Sequence, residues 1–377
     1  MKIGIFIQSN LNTGGEFYNS INFVNKIKKT KNKDILIFTN NKKTYYDLKK
    51  YNIKSKIVKY SLVDNLIFKV FNYINLIDII PYVSSFEKKI INEKIDLLIF
   101  TSVYRKLSFL KKINFAFIIL DLAHLYYKNF IELDSKESQL REKIIRKNII
   151  KAKIIFVEDL SVKNILQRNY GCNKKIICIN KYENAPFLTK KNNHKKIKTF
   201  KNFLFYPSSF WQHKNHTLII KTLHRLKMNK IIFNAVFVGA DKGYKSDLLK
   251  LTSNLKISNQ IQFFDRLDDH RIIELYKRCD AVLYPSFFGP ANLPVAESWK
   301  FNKALIYPSI YKDYINKAAI TFNNNSINSL SKALATLKNK TLTTKIIKRG
   351  RQELKKIKLD NLNQIKAAIS AVEKIYY

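Results

Sequence analysis

Short apolar runs that do not alternate punctuate the chain, and each is followed by a longer segment whose apolar residues recur at helical spacing. Such runs fit strands buried on both faces of a parallel sheet, and the helical segments supply the crossovers that parallel strands need. Two series appear. The first predicts strands at Lys2 to Gln8, Asp34 to Thr39, Asp96 to Thr101, Phe115 to Leu120 and Ile154 to Val157. The second predicts them at Phe203 to Tyr206, Ala235 to Val238, Ile261 to Phe264, Ala281 to Tyr284 and Ala304 to Tyr307. Between the series, Lys190-Lys-Asn-Asn-His-Lys-Lys196 has no apolar residue and reads as a linker. The expectation is an α/β protein of two Rossmann-like domains facing one another across a cleft. The first would span 1–188, the linker 189–200 and the second 201–353, with a terminal helical stretch at 354–377.

One more helical pattern stands apart. Leu62, Leu66, Val70, Tyr73, Ile77 and Ile80 form a stripe ended by Pro81, which fits either a core-facing helix or a membrane-docking surface with its apolar residues partly inserted; the core-facing reading is the simpler and is the one expected. The lysines just upstream, Lys42, Lys43, Lys49, Lys50, Lys54, Lys56 and Lys59, alternate with tyrosines and are the expected contact with lipid headgroups.

A length of 377 residues exceeds one typical core, which agrees with two domains. The 46% of hydrophobic residues is enough to bury both. The 69 basic residues, most of them lysines along the whole chain, against 28 acidic ones leave a formal charge of +41. A field that large favours anionic partners. Nucleic acid is not expected, since zinc spacing, RNP-type aromatic motifs and an arginine-rich arm are lacking. The remaining readings are an anionic membrane surface and a compositional bias toward Lys, Asn, Ile and Tyr. Cys172, Cys178 and Cys279 have no C-x-x-C spacing, so neither a disulfide framework nor a structural zinc is expected. With no run long enough to span a bilayer and no signal-peptide pattern after Met1, a cytoplasmic chain is expected, peripheral on the inner face of the membrane at most.

The chemistry gathers after strand ends. Ser286-Phe-Phe-Gly-Pro-Ala-Asn-Leu-Pro-Val-Ala-Glu297 follows the strand Ala281 to Tyr284. Pro285 ends the ladder, Pro294 suits the first turn of a helix, and the free amides of that turn point back at the loop. Ser9-Asn-Leu-Asn-Thr-Gly14-Gly15-Glu16 follows the first strand and permits close backbone approach to a ligand. Its lack of the full G-x-G-x-x-G fingerprint counts against a dehydrogenase. Asp121-Leu-Ala-His124 stands at the carboxyl edge of the first sheet, where a histidine beside an aspartate can orient or deprotonate a hydroxyl. Phe205-Tyr-Pro-Ser-Ser-Phe-Trp-Gln-His213-Lys214-Asn-His216 leads into an amphipathic helix with Lys214 at its start. Gly239 closes a further strand, and in Phe264-Asp265-Arg-Leu-Asp268-Asp269-His270 an aspartate caps the helix beginning near Arg271 and does not hold a metal.

Together these segments resemble retaining glycosyltransferases of the GT-B fold, family 4 (glycosyltransferase group 1), in a branch with a Gly-Pro-x-Asn-Leu-Pro donor loop. The usual pair of glutamates seven residues apart is represented by Glu297 alone, with Gly289 in place of the first. The usual arginine five residues before the lysine is replaced by Ser209. The resemblance implies that Glu297 holds the ribose and Lys214 faces the diphosphate. It implies too that Gly289, Pro290, Ala291, Asn292 and Leu293 cradle the sugar, with Asn292 offering amide contacts. Gly239 would lie near the base, Gly14 and Gly15 beside the donor phosphates, and Asp121 and His124 on the acceptor side. It further implies a metal-independent transferase with no cofactor beyond its nucleotide-diphosphate sugar co-substrate, and a glycan or lipid-linked acceptor of cell-surface polysaccharide synthesis. The terminal helix would return to the first domain. Loss of two charged family residues keeps a second class open, a non-catalytic scaffold or glycan-binding subunit.

Overall fold

The computed structural model describes residues 1–30, 35–133, 135–172, 176–178, 185–189, 197–289 and 293–376, so the predicted linker Lys190 to Lys196 lies outside the described residues. The chain divides into two compact units. One contains Met1–Asn129, Leu133–Lys181 and Leu359–Tyr377, and the other Phe130–Glu132 and Tyr182–Lys358.

The first unit holds a seven-stranded sheet of β1 (Ile3–Phe6), β2 (Ile35–Thr39), β3 (Lys56–Ile57), β4 (Leu97–Phe100), β5 (Phe115–Ile119), β6 (Ile154–Val157) and β7 (Ile176–Cys178). Their order is β3-β2-β1-β4-β5-β6-β7 and every pairing is parallel. Strand side chains alternate between faces, so the sheet separates two cores. Ile3, Ile5, Leu97, Ile99 and Ile118 pack on one side with Phe17 and Val24 of the helix Gly15–Thr30 and with Ile365 and Ile369 of the terminal helix. Phe6, Leu98, Phe100, Phe117 and Val157 pack on the other with Phe86, Ile145 and Leu166.

The second unit holds a six-stranded sheet of β8 (Leu204–Pro207), β9 (Ala235–Val238), β10 (Ile261–Phe264), β11 (Ala281–Leu283), β12 (Ala304–Pro308) and β13 (Ile320–Phe322). The order is β10-β9-β8-β11-β12-β13, again parallel throughout. Both sheets are therefore doubly wound. The strand order reverses between β1 and β4 in one and between β8 and β11 in the other, and ligands of open α/β sheets bind outside the carboxyl ends of strands at such reversals.

The stripe at Leu62 to Ile80 needs correction. Ile77 and Ile80 are buried, as a core-facing reading requires. Leu62, Leu66, Val70 and Tyr73, on the helix Leu62–Tyr73, instead face solvent. The reason is local. Ser61 and Asp64 form a capping box, and Asp64 accepts further bonds from Tyr82 (2.7 Å) and Ser85, which ties the Asp64 and Phe68 side of the helix inward.

Candidate functional site

In the second unit the loops after β8 and β11 meet at the strand-order reversal. After β8 the backbone makes a 3₁₀ turn at Gln212–Lys214, passes through Asn215 in the left-handed region, and enters the helix His216–Met228. Asn215 suits that conformation, and its side-chain amide spans to the carbonyls of Pro285 (3.3 Å) and Asn324 (2.8 Å). The carbonyl of His213 accepts the Phe287 amide proton at 3.0 Å, and Tyr206 donates its hydroxyl to the Lys214 carbonyl at 2.9 Å. Lys214 is thus held next to the 286–289 loop by the His213 carbonyl on one side of it and the Asn215 side-chain amide on the other.

The loop itself is pinned from several directions. Tyr311 donates to the Phe287 carbonyl at 2.5 Å, Ser286 donates to the Phe288 carbonyl at 2.8 Å, and Tyr284 donates to the Gly289 carbonyl. Gly289 has a φ of 80°, in the left-handed region. Pro290, Ala291 and Asn292, expected to cradle a sugar, lie outside the described residues. Leu293 opens the helix Leu293–Lys300 with Pro294 in its first turn, and both Leu293 and Glu297 are buried.

Glu297 is 4% exposed. One carboxylate oxygen accepts the Ala185 amide proton at 3.1 Å and the other accepts the Tyr276 hydroxyl. Burial pushes its pKa up to about 7, against the opposing pull of those two donors. The expected ribose ligand therefore already carries one protein donor on each oxygen.

Two residues that sequence reasoning did not single out complete this region. Phe130–Glu132 is grouped with the second unit, and Glu132 accepts both the backbone and ring N–H groups of His213, the former at 3.0 Å. Burial alone would raise the Glu132 pKa, but the bonds from His213 outweigh it and hold it below the ordinary carboxylate value. The fixed imidazole stacks on Phe288 with ring centroids 4.0 Å apart. Sequence carries no signal for a pair 81 residues apart; only His213's place beside Lys214 hinted at a role.

Gly239 follows β9, one strand from the reversal. A Cβ there would lie 2.1 Å from the Ser208 carbonyl oxygen, so glycine lets the loops after β8 and β9 touch, and Phe210 and Asp241 form an isolated bridge beside them. The Asp265 to His270 segment folds as expected, with Asp268 accepting the Arg271 amide proton at 2.9 Å as an N-cap.

In the first unit, Gly14 and Gly15 do follow β1 at the other reversal. Gly14 takes φ 60° after a 3₁₀ turn at Leu11–Thr13, with open space where a Cβ would stand. Glu16 lies in the first turn of the helix Gly15–Thr30, where a carboxylate complements the helix's positive end. Asp121 and His124 follow β5, and each has a nearby partner of opposite charge or hydrogen-bonding character. The chain turns at Ala123–Leu125, so Asp121 accepts the Ala123 amide proton at 3.0 Å and pairs with Arg141 at 3.1 Å. Although burial would raise its pKa, Arg141 keeps Asp121 below the usual value. His124 is buried and its Nε2 pairs with Glu142 at 3.0 Å, leaving Nδ1 without a hydrogen-bond partner among the described residues. Burial lowers its pKa even with Glu142 opposing.

These two parallel, doubly wound sheets define the class: the chain has the GT-B fold. Solved structures align with nearly its whole length. Sucrose-phosphate synthase from Thermosynechococcus elongatus has a TM-score of 0.73 at 10% identity, covering 100% of both chains. HepE from Anabaena, in complex with UDP-glucose, has 0.68 at 15%, covering 98% of this chain and 100% of that one. WaaG, described as a glycosyltransferase involved in lipopolysaccharide biosynthesis, has 0.61 at 15%, covering 94% and 95%. More particularly, residues 189–353 match the family described as "Glycosyl transferases group 1", so the second unit carries a domain of that group. No curated protein sequence matches the chain.

Proposed function

We propose that the protein is a retaining, metal-independent glycosyltransferase that moves a sugar from a nucleotide diphosphate donor to a glycan or lipid-linked acceptor in cell-surface polysaccharide synthesis. The carrying observation is the fastening of the Lys214 turn to the 286–289 loop at the β8/β11 reversal, within a group 1 domain. The UDP-glucose bound by HepE and the lipopolysaccharide role in WaaG's description lend support by analogy.

In this reading the diphosphate lies against Lys214 and the first turn of the helix His216–Met228. Cation and helix end are already oriented where negative charge develops as the glycosidic bond breaks. Leu293 and the loop before it hold the sugar, Gly239 lies near the base, and Glu297 offers its remaining lone pairs to the ribose. Asn292 contributes amide contacts. Gly14, Gly15, Asp121 and His124 serve the first unit's share of the reaction, with Nδ1 the available atom of His124. The acceptor hydroxyl attacks on the face the nucleotide leaves, and the departing diphosphate takes its proton. A neutral Gly289 in place of a carboxylate favours one rival, a scaffold that binds without turnover.

Thermal stability against a panel of nucleotide-sugars and nucleoside diphosphates tests the proposal. A rise with one donor, lost in Lys214→Ala and Glu297→Ala, is expected, and donor hydrolysis then excludes the scaffold. No rise with any nucleotide overturns the donor site.

A further inference from the structure

The helix Leu62–Tyr73 turns the wrong side outward for a soluble protein. Leu62 is 89% exposed, Leu66 63% and Tyr73 86%, with Val63 and Val70 exposed beside them. At about 100° per residue these five fall within one arc of about 100°, while buried Asp64 and Phe68 lie opposite. The apolar surface continues past the helix end through Ile74, Leu76 and Ile79, all exposed. A contiguous patch of this kind marks an interaction surface.

Lysines rim it. Lys69 is exposed on the helix itself, and Lys106 donates to Asn65 while its Nζ lies 4.2 Å from the centre of the Tyr60 ring. Lys143 donates to Asn75, and Lys147 and Lys151 each reach Asp78 at 2.6 Å. Lys111 donates to the carbonyls of Ile77 (2.7 Å) and Asp78 (2.9 Å). Six lysines thus stand against three carboxylates, and two of these are turned inward, Asp64 among the Ser61, Tyr82 and Ser85 donors and Glu87 among the Lys111, Lys112 and Ile113 amides.

From this geometry we infer that the helix Leu62–Tyr73 and the loop to Ile79 dock on an anionic lipid bilayer, apolar side chains in the acyl boundary and lysines on the headgroups. A second copy fits less well, because a two-fold contact through this patch would bring each lysine rim against its own image. At 12 residues the helix is about 18 Å long, suited to lying in the interface, and no helix among the described residues is long and apolar enough to cross a membrane. The inference stands apart from the transfer reading, since binding is measured without donor or acceptor.

Co-sedimentation of the full chain with phosphatidylcholine vesicles, with and without phosphatidylglycerol, provides the test. Binding is expected only with phosphatidylglycerol, weakened at least about tenfold by Leu66→Ser with Tyr73→Ser. Lys69→Glu with Lys143→Glu should weaken it by about tenfold as well, while Lys250→Glu with Lys277→Glu, exposed on the second unit, should change it less than about twofold. Since every altered side chain is at least partly solvent-exposed, unchanged melting temperatures certify the variants. Equal binding to neutral vesicles, or wild-type binding by the Leu66/Tyr73 variant, overturns the proposal. So does a wild-type dimer by sedimentation that the same variant dissociates.

Discussion

A carboxylic acid sealed from water titrates where its neighbours allow, and for Glu297 that point is about 7, well above the 4.5 expected of it when unfolded. Between those values the folded chain binds the extra proton. Stability should therefore be fully present below about pH 4.5, fall as pH rises to about 7 by on the order of 3 kcal/mol, and then level off. Glu297→Gln removes the titrating group while keeping an acceptor for Ala185, so its denaturant midpoint should lack that slope; a parallel slope in both proteins would sink the assignment. Glu132 has the opposite sign. Its lowered pKa gives stability that is present above the ordinary carboxylate value and lost as pH falls through the folded one. Because Glu132 fixes the ring that stacks on Phe288, Glu132→Ala should weaken nucleotide-sugar binding by about 1 to 3 kcal/mol in titration calorimetry at pH 7.5, where the acid slope does not intrude. Neither partner set could be read from the chain. Glu297 was visible through its spacing from a proline-bearing turn, but Tyr276, Ala185 and Glu132 reach the site only through folding. Asp121 and His124 show the same limit, since their place after a strand end was legible while their partners Arg141 and Glu142, on a later helix, were not.

Elements were read best where burial was complete on both faces. All ten strands expected from uninterrupted apolar runs are present, usually within two residues of their predicted ends. The three that escaped, β3, β7 and β13, are two or three residues long and stand at sheet edges, where little burial is demanded of the sequence. Helical spacing told truly that Leu62 to Tyr73 is a helix, and it could not tell which side faces water, because period reports a face and not its neighbour. Close approach is equally silent in sequence. Gly239 was noted as a strand-end glycine, and its actual constraint is the Ser208 backbone 2.1 Å from where a Cβ would stand. Gly239→Ala should destabilise the chain by about 1 to 3 kcal/mol in urea denaturation, with the loss confined to the second unit by hydrogen exchange; a neutral result would mean the loops part at no cost. Removing the cap with Asp268→Ala should cost only about 1 kcal/mol, which separates a backbone clash from a lost hydrogen bond.

On the scale of the whole chain the dominant quantity is a formal charge of +41. Lysines that repel one another across both units destabilise the compact state, and added salt screens them within about 10 Å at 0.1 M. Melting temperature should therefore rise between about 20 and 300 mM sodium chloride, a span over which the Debye length falls severalfold. Docking on an anionic bilayer draws on the same lysines with the opposite response, because salt weakens attraction as it weakens repulsion. One titration thus distinguishes charge that is compositional from charge that is used. If the lysines near Leu62 to Ile79 act on lipid, vesicle binding falls over the salt range in which melting temperature climbs, and Lys69→Glu with Lys143→Glu flattens the binding curve far more than the melting curve. If the charge is bias alone, reversing two lysines anywhere on the surface shifts both curves alike, and the position of those six lysines around an apolar helix has no functional meaning.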